Sequence, residues 1–145
     1  MTDRETQETI RRVLDTVRTI AVIGFSDDPQ RESNDVARFL LAHGYDVTGV
    51  NPKLAGQKVN GIAVYARLSD VPGPVDMVDV FRRSEFLDEI IHSAVALKDE
   101  KSLRAIWLQL GLTHPVAEAF ARARGLDVIS DRCPKIELKR ERITT

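Results

Sequence analysis

Short, mostly apolar runs alternate with longer segments of helical periodicity along this chain. The apolar runs predict five strands, at residues 19–23, 46–50, 75–81, 105–110 and 126–130. Runs of this length are typical of strands that are buried on both faces of a parallel sheet. A further short extended piece is predicted at residues 62–65.

Apolar residues at helical spacing predict helices between these runs. The predicted helices cover residues 5–17, a segment that ends at Gly44, a segment with Ser84 as its N-cap, and a segment between Pro115 and Gly125. Residues 67–71 are interpreted as one helical turn, residues 98–101 as a charged connection, and residues 131–145 as a basic, mostly irregular tail.

The alternation of strands with helices predicts an α/β fold, a Rossmann-like doubly wound parallel sheet of about five strands with helices on both faces. A chain of 145 residues suits one domain over residues 1–145, with an N-terminal helical segment at 1–18 and a C-terminal basic tail at 131–145. Ligands of such sheets bind beyond the C-terminal ends of the strands.

Composition narrows the classes of partner. The net charge of −1 argues against a nucleic acid or an anionic membrane as partner, and no apolar run is long enough to span a bilayer. The single cysteine, Cys133, excludes an intrachain disulfide, and no His and Cys spacing resembles a metal site. With a charged N-terminus that lacks a signal-peptide core, the chain is expected to be cytoplasmic.

The turn after the first strand is the first candidate ligand site. Gly24 follows a buried strand, and Phe25, Ser26, Arg31 and Ser33 follow it before or within the next helix. Backbone amides at a helix N-terminus, two hydroxyls and a guanidinium suit a phosphate. The turn lacks the further glycines of the dinucleotide fingerprint. Alternatively, Gly24 only forms the turn and Arg31 is solvated.

The end of the second strand indicates the class of nucleotide. A site for NAD usually has Asp or Glu at this position for the ribose hydroxyls. This chain has Asn51, Pro52 and Lys53 instead. A positive charge there suits a phosphorylated ribose, either the 3′-phosphate of coenzyme A or the 2′-phosphate of NADP. The alternative is that Asn51 and Pro52 end a strand and that Lys53 is a surface lysine.

The later strands contribute further candidates at their C-terminal ends. Phe81 ends the third predicted strand and Arg82 follows it, where an arginine can bind a phosphate through two hydrogen bonds, and Gln109 lies at the end of the fourth. Asp76 and Asp79 are interpreted as strand-edge or loop-bonding aspartates rather than a catalytic acid pair. The three histidines are interpreted as structural, and Trp107 as a core residue.

These motifs together resemble the small, stand-alone CoA-binding proteins whose fold matches the N-terminal CoA-binding domain of the succinyl-CoA synthetase alpha subunit. The motifs lie in order at residues 21–26, 31–33, 50–53, 75–82, 107–111 and 131–135. The resemblance implies a Rossmann-like domain that binds CoA, with residues 24–26 near the phosphates, residues 51–53 near the adenosine phosphate, and the loop beyond Val80 beside the adenine. The charged stretch at 96–104 departs from the short glycine-containing turn of that family.

The resulting hypothesis is a protein that binds CoA or acyl-CoA without catalysis of its own. The alternatives are an NADP-dependent oxidoreductase and a regulatory module that senses acyl-CoA and acts through a partner protein. The sequence leaves open whether the protein has a protein partner or forms a homo-oligomer.

Cys133 carries a separate hypothesis. It follows the fifth strand between Arg132 and Lys135, and neighbouring positive charge favours a reactive thiolate. The hypothesis is that Cys133 forms a mixed disulfide with the thiol of CoA. The competing interpretation is a small buried apolar residue beside Pro134, which the sequence favours.

Overall fold

The computed structural model describes the backbone of residues 2–144 and the side chains of residues 2–142. Its strands are β1 (Thr19–Ile23), β2 (Asp46–Val50), β3 (Lys58–Val59), β4 (Ile62–Tyr65), β5 (Met77–Val80), β6 (Ala105–Leu108) and β7 (Asp127–Ile129). Its helices are α1 (Asp3–Thr16), α2 (Glu32–Ala42), α3 (Leu87–Ala96), α4 (Lys98–Lys101), α5 (Pro115–Ala123) and α6 (Pro134–Thr144). Short 3-10 turns lie at Pro52–Leu54, Leu68–Asp70 and Ser84–Phe86.

The strands form one sheet in the order β3-β4-β2-β1-β5-β6-β7. All neighbouring strands are parallel except β3 and β4, which form an antiparallel hairpin at one edge. The chain leaves β1 towards β2 on one side and later returns to β5 on the other. The strand order therefore reverses between β1 and β5, which is where a doubly wound sheet opens a crevice for a ligand.

Two hydrophobic clusters cover the two faces of this sheet. On one face, strand residues such as Val22, Met77 and Trp107 pack against α1, α2 and α6. On the other face, Val78 and Val80 and their neighbours pack against α3 and α5. Successive residues of a strand point to opposite faces, so both sets of apolar side chains are buried. This arrangement confirms the predicted Rossmann-like class and the core position of Trp107.

The edge hairpin raises the number of strands above the predicted five. Residues 62–65 become strand β4, which pairs with β2, and Lys58–Val59 adds the short strand β3. Gly61 at the hairpin turn has a φ of +81° and Asn60 a φ of +53°. A two-residue turn with positive φ at both positions is the turn type that closes a hairpin, and an Asn-Gly pair is its usual sequence.

Three predictions about local structure were wrong. Ser84 is not the N-cap of the third long helix, because a 3-10 turn occupies Ser84–Phe86 and α3 begins at Leu87. The charged connection is the single-turn helix α4, whose Lys101 is buried and donates a hydrogen bond to the backbone carbonyl of Val71.

The C-terminal segment is also not irregular, because residues 134–144 form α6. This helix is held by contacts with distant parts of the chain. Leu138 lies in the hydrophobic cluster, and the Nζ of Lys135 donates to Asp35 of α2 at 2.8 Å. Arg11 of α1 donates to Glu141 at 2.9 Å. No helix in the described part of the chain has the length and apolar character needed to cross a membrane.

Candidate functional site

Gly24 lies where the ends of β1 and β5 come closest. Phe81 N–H donates to the carbonyl of Ile23 at 2.8 Å, which extends the pairing of these strands by one residue. Gly24 has a φ of +86°, and a Cβ atom on it would lie 2.4 Å from the carbonyl oxygen of Phe81. Only glycine fits both constraints. The tight turn expected after the first strand is therefore present. At its narrowest point the backbone of Gly24 lies against the backbone of Phe81.

The loop between Gly24 and α2 is held by side chains of the helix's first turn. Ser33 Oγ accepts the backbone N–H of Ser26 at 3.1 Å, and Asn34 Nδ2 donates to the carbonyl of Ser26 at 2.9 Å. Ser33 and Asn34 are both buried. A cavity of about 440 Å³ opens above this loop, and it is lined by Gly24, Ser26, Gln30, Arg31, Glu32, Ser33 and Phe81. The loop therefore has a fixed shape beside an open, mostly polar cavity.

A second cavity, of about 390 Å³, opens on the opposite face of the sheet. Its apolar walls include Val50, Leu68, Phe86 and Ile90, and Gly24 borders it as well. Since Gly24 borders both cavities, an elongated ligand can cross the switch point and occupy the polar cavity with one part and the apolar cavity with another.

Three cations at or beside this cleft lack acidic partners among the described residues. Arg31, Lys53 and Arg82 make no ion pair with any residue that the structure describes, while nearby Arg67 and Arg83 pair with Asp70 and Glu85. The guanidinium of Arg82 lies 4.6 Å from the centre of the Phe86 ring, at the apolar cavity. An unpaired cation at a cleft favours an anionic ligand.

Asn51 and Pro52 hold the end of β2 near this cleft. Asn51 Nδ2 donates to the carbonyl of Phe25 at 2.9 Å, and its Oδ1 accepts the backbone N–H of Lys53 at 2.9 Å. Pro52 borders the apolar cavity, whereas the exposed Lys53 lies in the next position of the 3-10 turn. Asn51 therefore fixes the position of the residues that follow β2 relative to the first loop.

The side chain of Phe25 does not face the cleft. It is fully buried in the core, and a Cβ atom on Gly49 would lie 2.6 Å from its ring. Phe25 can therefore offer a ligand only its backbone, and Gly49 leaves the space that its ring fills.

The two aspartates of the third predicted strand differ in their surroundings. Asp76 Oδ2 accepts the backbone N–H groups of Arg18 and Thr19 at 2.7 and 3.2 Å, which confirms it as a loop-bonding aspartate. The same interpretation is wrong for Asp79. Its side chain is fully buried in β5, and neither carboxylate oxygen has a hydrogen-bond partner in the described part of the chain. Burial raises the pKa of Asp79 well above the ordinary value of 3.8.

Gln109 and Cys133 lie at strand ends but border neither cavity. Gln109 follows β6 and is 4 % exposed, and its buried Oε1 has no hydrogen-bond partner among the residues that the structure describes. Cys133 is 7 % exposed and packs within the same hydrophobic cluster as Trp107 and Leu138. This packing favours the structural interpretation of Cys133 over a thiol that reacts with a ligand.

The histidines have the structural roles expected from the sequence. His114 Nδ1 accepts the backbone N–H of Ala117 at 3.1 Å and caps α5, while His43 and His92 stack on Phe39 and Phe120. Among the described residues there is no group of three or more His, Cys, Asp or Glu side chains placed to hold a metal ion.

Two parts of the cleft were missed by the sequence analysis. Asn34 holds the first loop, and a polar residue after Ser33 in the first turn of a predicted helix was an available signal for it. Residues 66–69 line the apolar cavity because β4 pairs with β2. No local pattern indicates that contact.

Comparison with known proteins gives a consistent result. The family model described as a CoA binding domain matches residues 18–139. The uncharacterized protein YneT of Bacillus subtilis (strain 168) is 33% identical over 127 residues, which cover 88% of this chain and 90% of that protein.

Solved structures share the fold. A protein from Thermus thermophilus described as cell-free ID.343 is 37% identical, with a TM-score of 0.84 over 97% of this chain and 98% of that chain. A dinucleotide-forming acetyl-coenzyme A synthetase 1 from Ca. Korarchaeum cryptofilum is 22% identical. It aligns with a TM-score of 0.62 over 76% of this chain and 25% of that chain, which is a likeness of fold alone.

Proposed function

This chain belongs to the CoA-binding domain family, and on that basis we propose that it binds coenzyme A or an acyl-CoA across the switch point between β1 and β5, without catalysis of its own. The observation that carries the proposal is the cleft divided at Gly24, with a polar cavity on one side and an apolar cavity on the other. CoA has the same division, since it joins charged phosphates to an adenine ring and a long pantetheine arm.

In this proposal, the diphosphate binds at the loop before α2. The backbone N–H groups at the N-terminus of this 11-residue helix carry partial positive charge, and the hydroxyls of Ser26 and Ser33 lie beside them. Arg31 borders the same cavity and has no acidic partner among the described residues. It supplies the charge that a diphosphate needs.

The adenine occupies the apolar cavity on the other face, beside the loop that follows Val80. Leu68 and Ile90 supply apolar walls, and Arg82 and Phe86 close the cavity beside that loop. Lys53, next to Pro52 at the cavity rim, then lies on the side of the adenosine and binds its 3′-phosphate.

Ligand identity is tested first by thermal unfolding. We expect CoA to raise the melting temperature most, dephospho-CoA to raise it less, and NADP to leave it nearly unchanged, because a ligand that binds only the folded state stabilises it by mass action. At a concentration of about 100 times Kd the stabilisation is about 2.7 kcal/mol. A large shift with NADP and none with CoA would instead favour the oxidoreductase alternative.

The charge at the end of β2 is tested by Lys53→Ala. We expect this change to weaken CoA about tenfold and to leave dephospho-CoA nearly unchanged, because the exposed ammonium contributes a charge-assisted contact of about 1–2 kcal/mol to the 3′-phosphate alone. Calorimetric titration measures both affinities. Lys58→Ala is the matched control, because Lys58 is an equally exposed lysine that lies in the edge strand β3 and not in the turn after β2.

Arg31→Ala is the contrasting variant. Because the diphosphate is common to CoA and dephospho-CoA, losing Arg31 is expected to weaken both ligands by similar factors. Equal losses of both ligands in Lys53→Ala would show that Lys53 does not bind the 3′-phosphate.

A further inference from the structure

Three buried oxygen atoms lack a hydrogen-bond partner among the residues that the structure describes. They are the two carboxylate oxygens of Asp79 and the Oε1 of Gln109. Asp79 is fully buried, and Gln109 is 4 % exposed. An unpaired buried polar atom destabilises the folded state, so a group of this kind requires an explanation.

Other buried acids on the same face are paired. Glu137 of α6 lies 3.0 Å from Arg140 and 3.7 Å from Arg132, and Glu141 accepts from Arg11 at 2.9 Å. The fold thus pairs its buried carboxylates with arginines where it holds them ionised. Asp79 is the exception.

Strand register brings Asp79 and Gln109 to one place. Asp79 of β5 lies opposite Trp107 of β6, and Gln109 is two residues beyond Trp107. Side chains two residues apart on a strand share a face, so Asp79 and Gln109 are diagonal neighbours on adjacent strands. Diagonal neighbours on adjacent strands are about 7–8 Å apart, a distance that the short carboxyl side chain of Asp79 and the longer amide side chain of Gln109 can span together.

One proton on Asp79 gives a hydrogen-bond partner to two of these three oxygen atoms. An ionised Asp79 and a glutamine carbonyl are both acceptors and cannot bond to each other, whereas a protonated carboxyl group has an O–H donor. Burial without a cation favours that protonated form, in agreement with the raised pKa of Asp79.

We propose that Asp79 carries a proton and donates it in a hydrogen bond to Gln109 Oε1, which orients the amide so that its NH₂ group faces the open strand ends. Asp79 is then a positioning residue for Gln109. The amide nitrogen makes no hydrogen bond with the described residues and is not among the buried atoms without a partner, so it retains contact with solvent.

The oriented NH₂ group suits a carbonyl acceptor on the ligand. Continuing the β5–β6 register places Gln109 opposite Phe81, which lines the polar cavity. This part rests on the proposed function: the phosphates lie at the loop before α2, and the pantetheine arm, with its amide carbonyls, extends along the strand ends towards β6. Gln109 then donates to a carbonyl oxygen of that arm.

Infrared spectroscopy tests the pair without any ligand. At about pH 7, the folded protein is expected to show the C=O stretch of a protonated carboxylic acid, which Asp79→Asn removes and the control Asp99→Asn, on an exposed residue of α4, does not. In Gln109→Leu the band is expected to persist and to move to higher frequency, because the acid loses its acceptor. The pair is overturned if Asp79→Asn removes no such band, or if the band is unmoved in Gln109→Leu.

Titration with CoA and with adenosine 3′,5′-bisphosphate, which lacks the pantetheine arm, tests the contact with the ligand. Gln109→Leu is expected to weaken CoA about threefold to tenfold and to leave the bisphosphate unchanged. Asp79→Leu is expected to match that loss, and Asp79→Asn, whose NH₂ donates to Oε1, to restore affinity. Equal losses for both ligands would overturn the contact. If the wild-type protein binds no CoA, the proposed function and the ligand contact both fail, while the infrared result still decides the pair.

Discussion

Replacing Gly24 by alanine is expected to lower the free energy of unfolding by about 2–5 kcal/mol and to weaken CoA binding more than tenfold. The backbone of residue 24 is left-handed, which costs a residue with a side chain about 1–2 kcal/mol. The added methyl group would also lie 2.4 Å from the Phe81 carbonyl oxygen, so β1 and β5 would have to move apart at the switch point. Urea denaturation measures the stability, and calorimetric titration with CoA measures the affinity.

Gly111→Ala is the matched control for this prediction. Gly111 has a φ of +83°, close to that of Gly24, but apart from its two chain neighbours no described residue has an atom within 4 Å of the position that its Cβ would take. It should therefore show the conformational cost of about 1–2 kcal/mol without the steric one. If both alanine variants lose the same stability, the close approach to Phe81 has no energetic consequence.

The Asp79→Asn variant is expected to be more stable than the wild-type protein at neutral pH and equally stable in acid. The pKa of Asp79 is raised in the folded state, so its folded form holds a proton that the unfolded chain releases above its ordinary pKa of 3.8. The wild-type protein therefore loses stability as the pH rises from about 4 through the folded pKa. Asparagine does not titrate, so the variant escapes this loss.

The difference between the two proteins should grow by up to about 1.4 kcal/mol per pH unit and level off once the pH passes the folded pKa. Denaturant unfolding at a series of pH values measures it. Asp76→Asn is the comparison, and it should be less stable than wild type at neutral pH because Asp76 accepts two backbone N–H groups. A stability difference for Asp79→Asn that does not change with pH would show that Asp79 is ionised in the folded protein.

Local patterns were sufficient to predict most of the architecture. The apolar runs at residues 19–23 and 46–50 match β1 and β2 in both bounds, and helices were expected where α2 and α5 lie. These predictions succeeded because burial on two faces requires a continuous apolar run and burial on one helical face requires a regular spacing. Both requirements act on neighbouring residues. The glycine after the first buried strand likewise indicated the turn at the switch point.

Residues of the candidate site were predictable to the extent that they lie between the C-terminal end of a strand and the first turn of the next helix. Ser26, Arg31 and Ser33 all line the polar cavity, and Pro52 and Arg82 line the apolar one. The topological rule for parallel sheets was enough to gather them at one edge. The same rule does not predict which side chains face the cleft and which face the core, and the side chain of Phe25 lies in the core.

The remaining features depend on parts of the chain that are distant in sequence. The weakly amphipathic segment 134–144 is helical because Leu138 packs in the hydrophobic core and Lys135 donates to Asp35 of α2. Residues 66–69 reach the cleft only because β4 pairs with β2. The local sequence predicts a strand-edge acid at Asp79. In the structure, the helices that pack on its face of the sheet bury its side chain, and no described cation pairs with it. Burial and pairing of a side chain are set by whatever packs against it, so they follow from the assembled sheet and helices and not from the order of neighbouring residues.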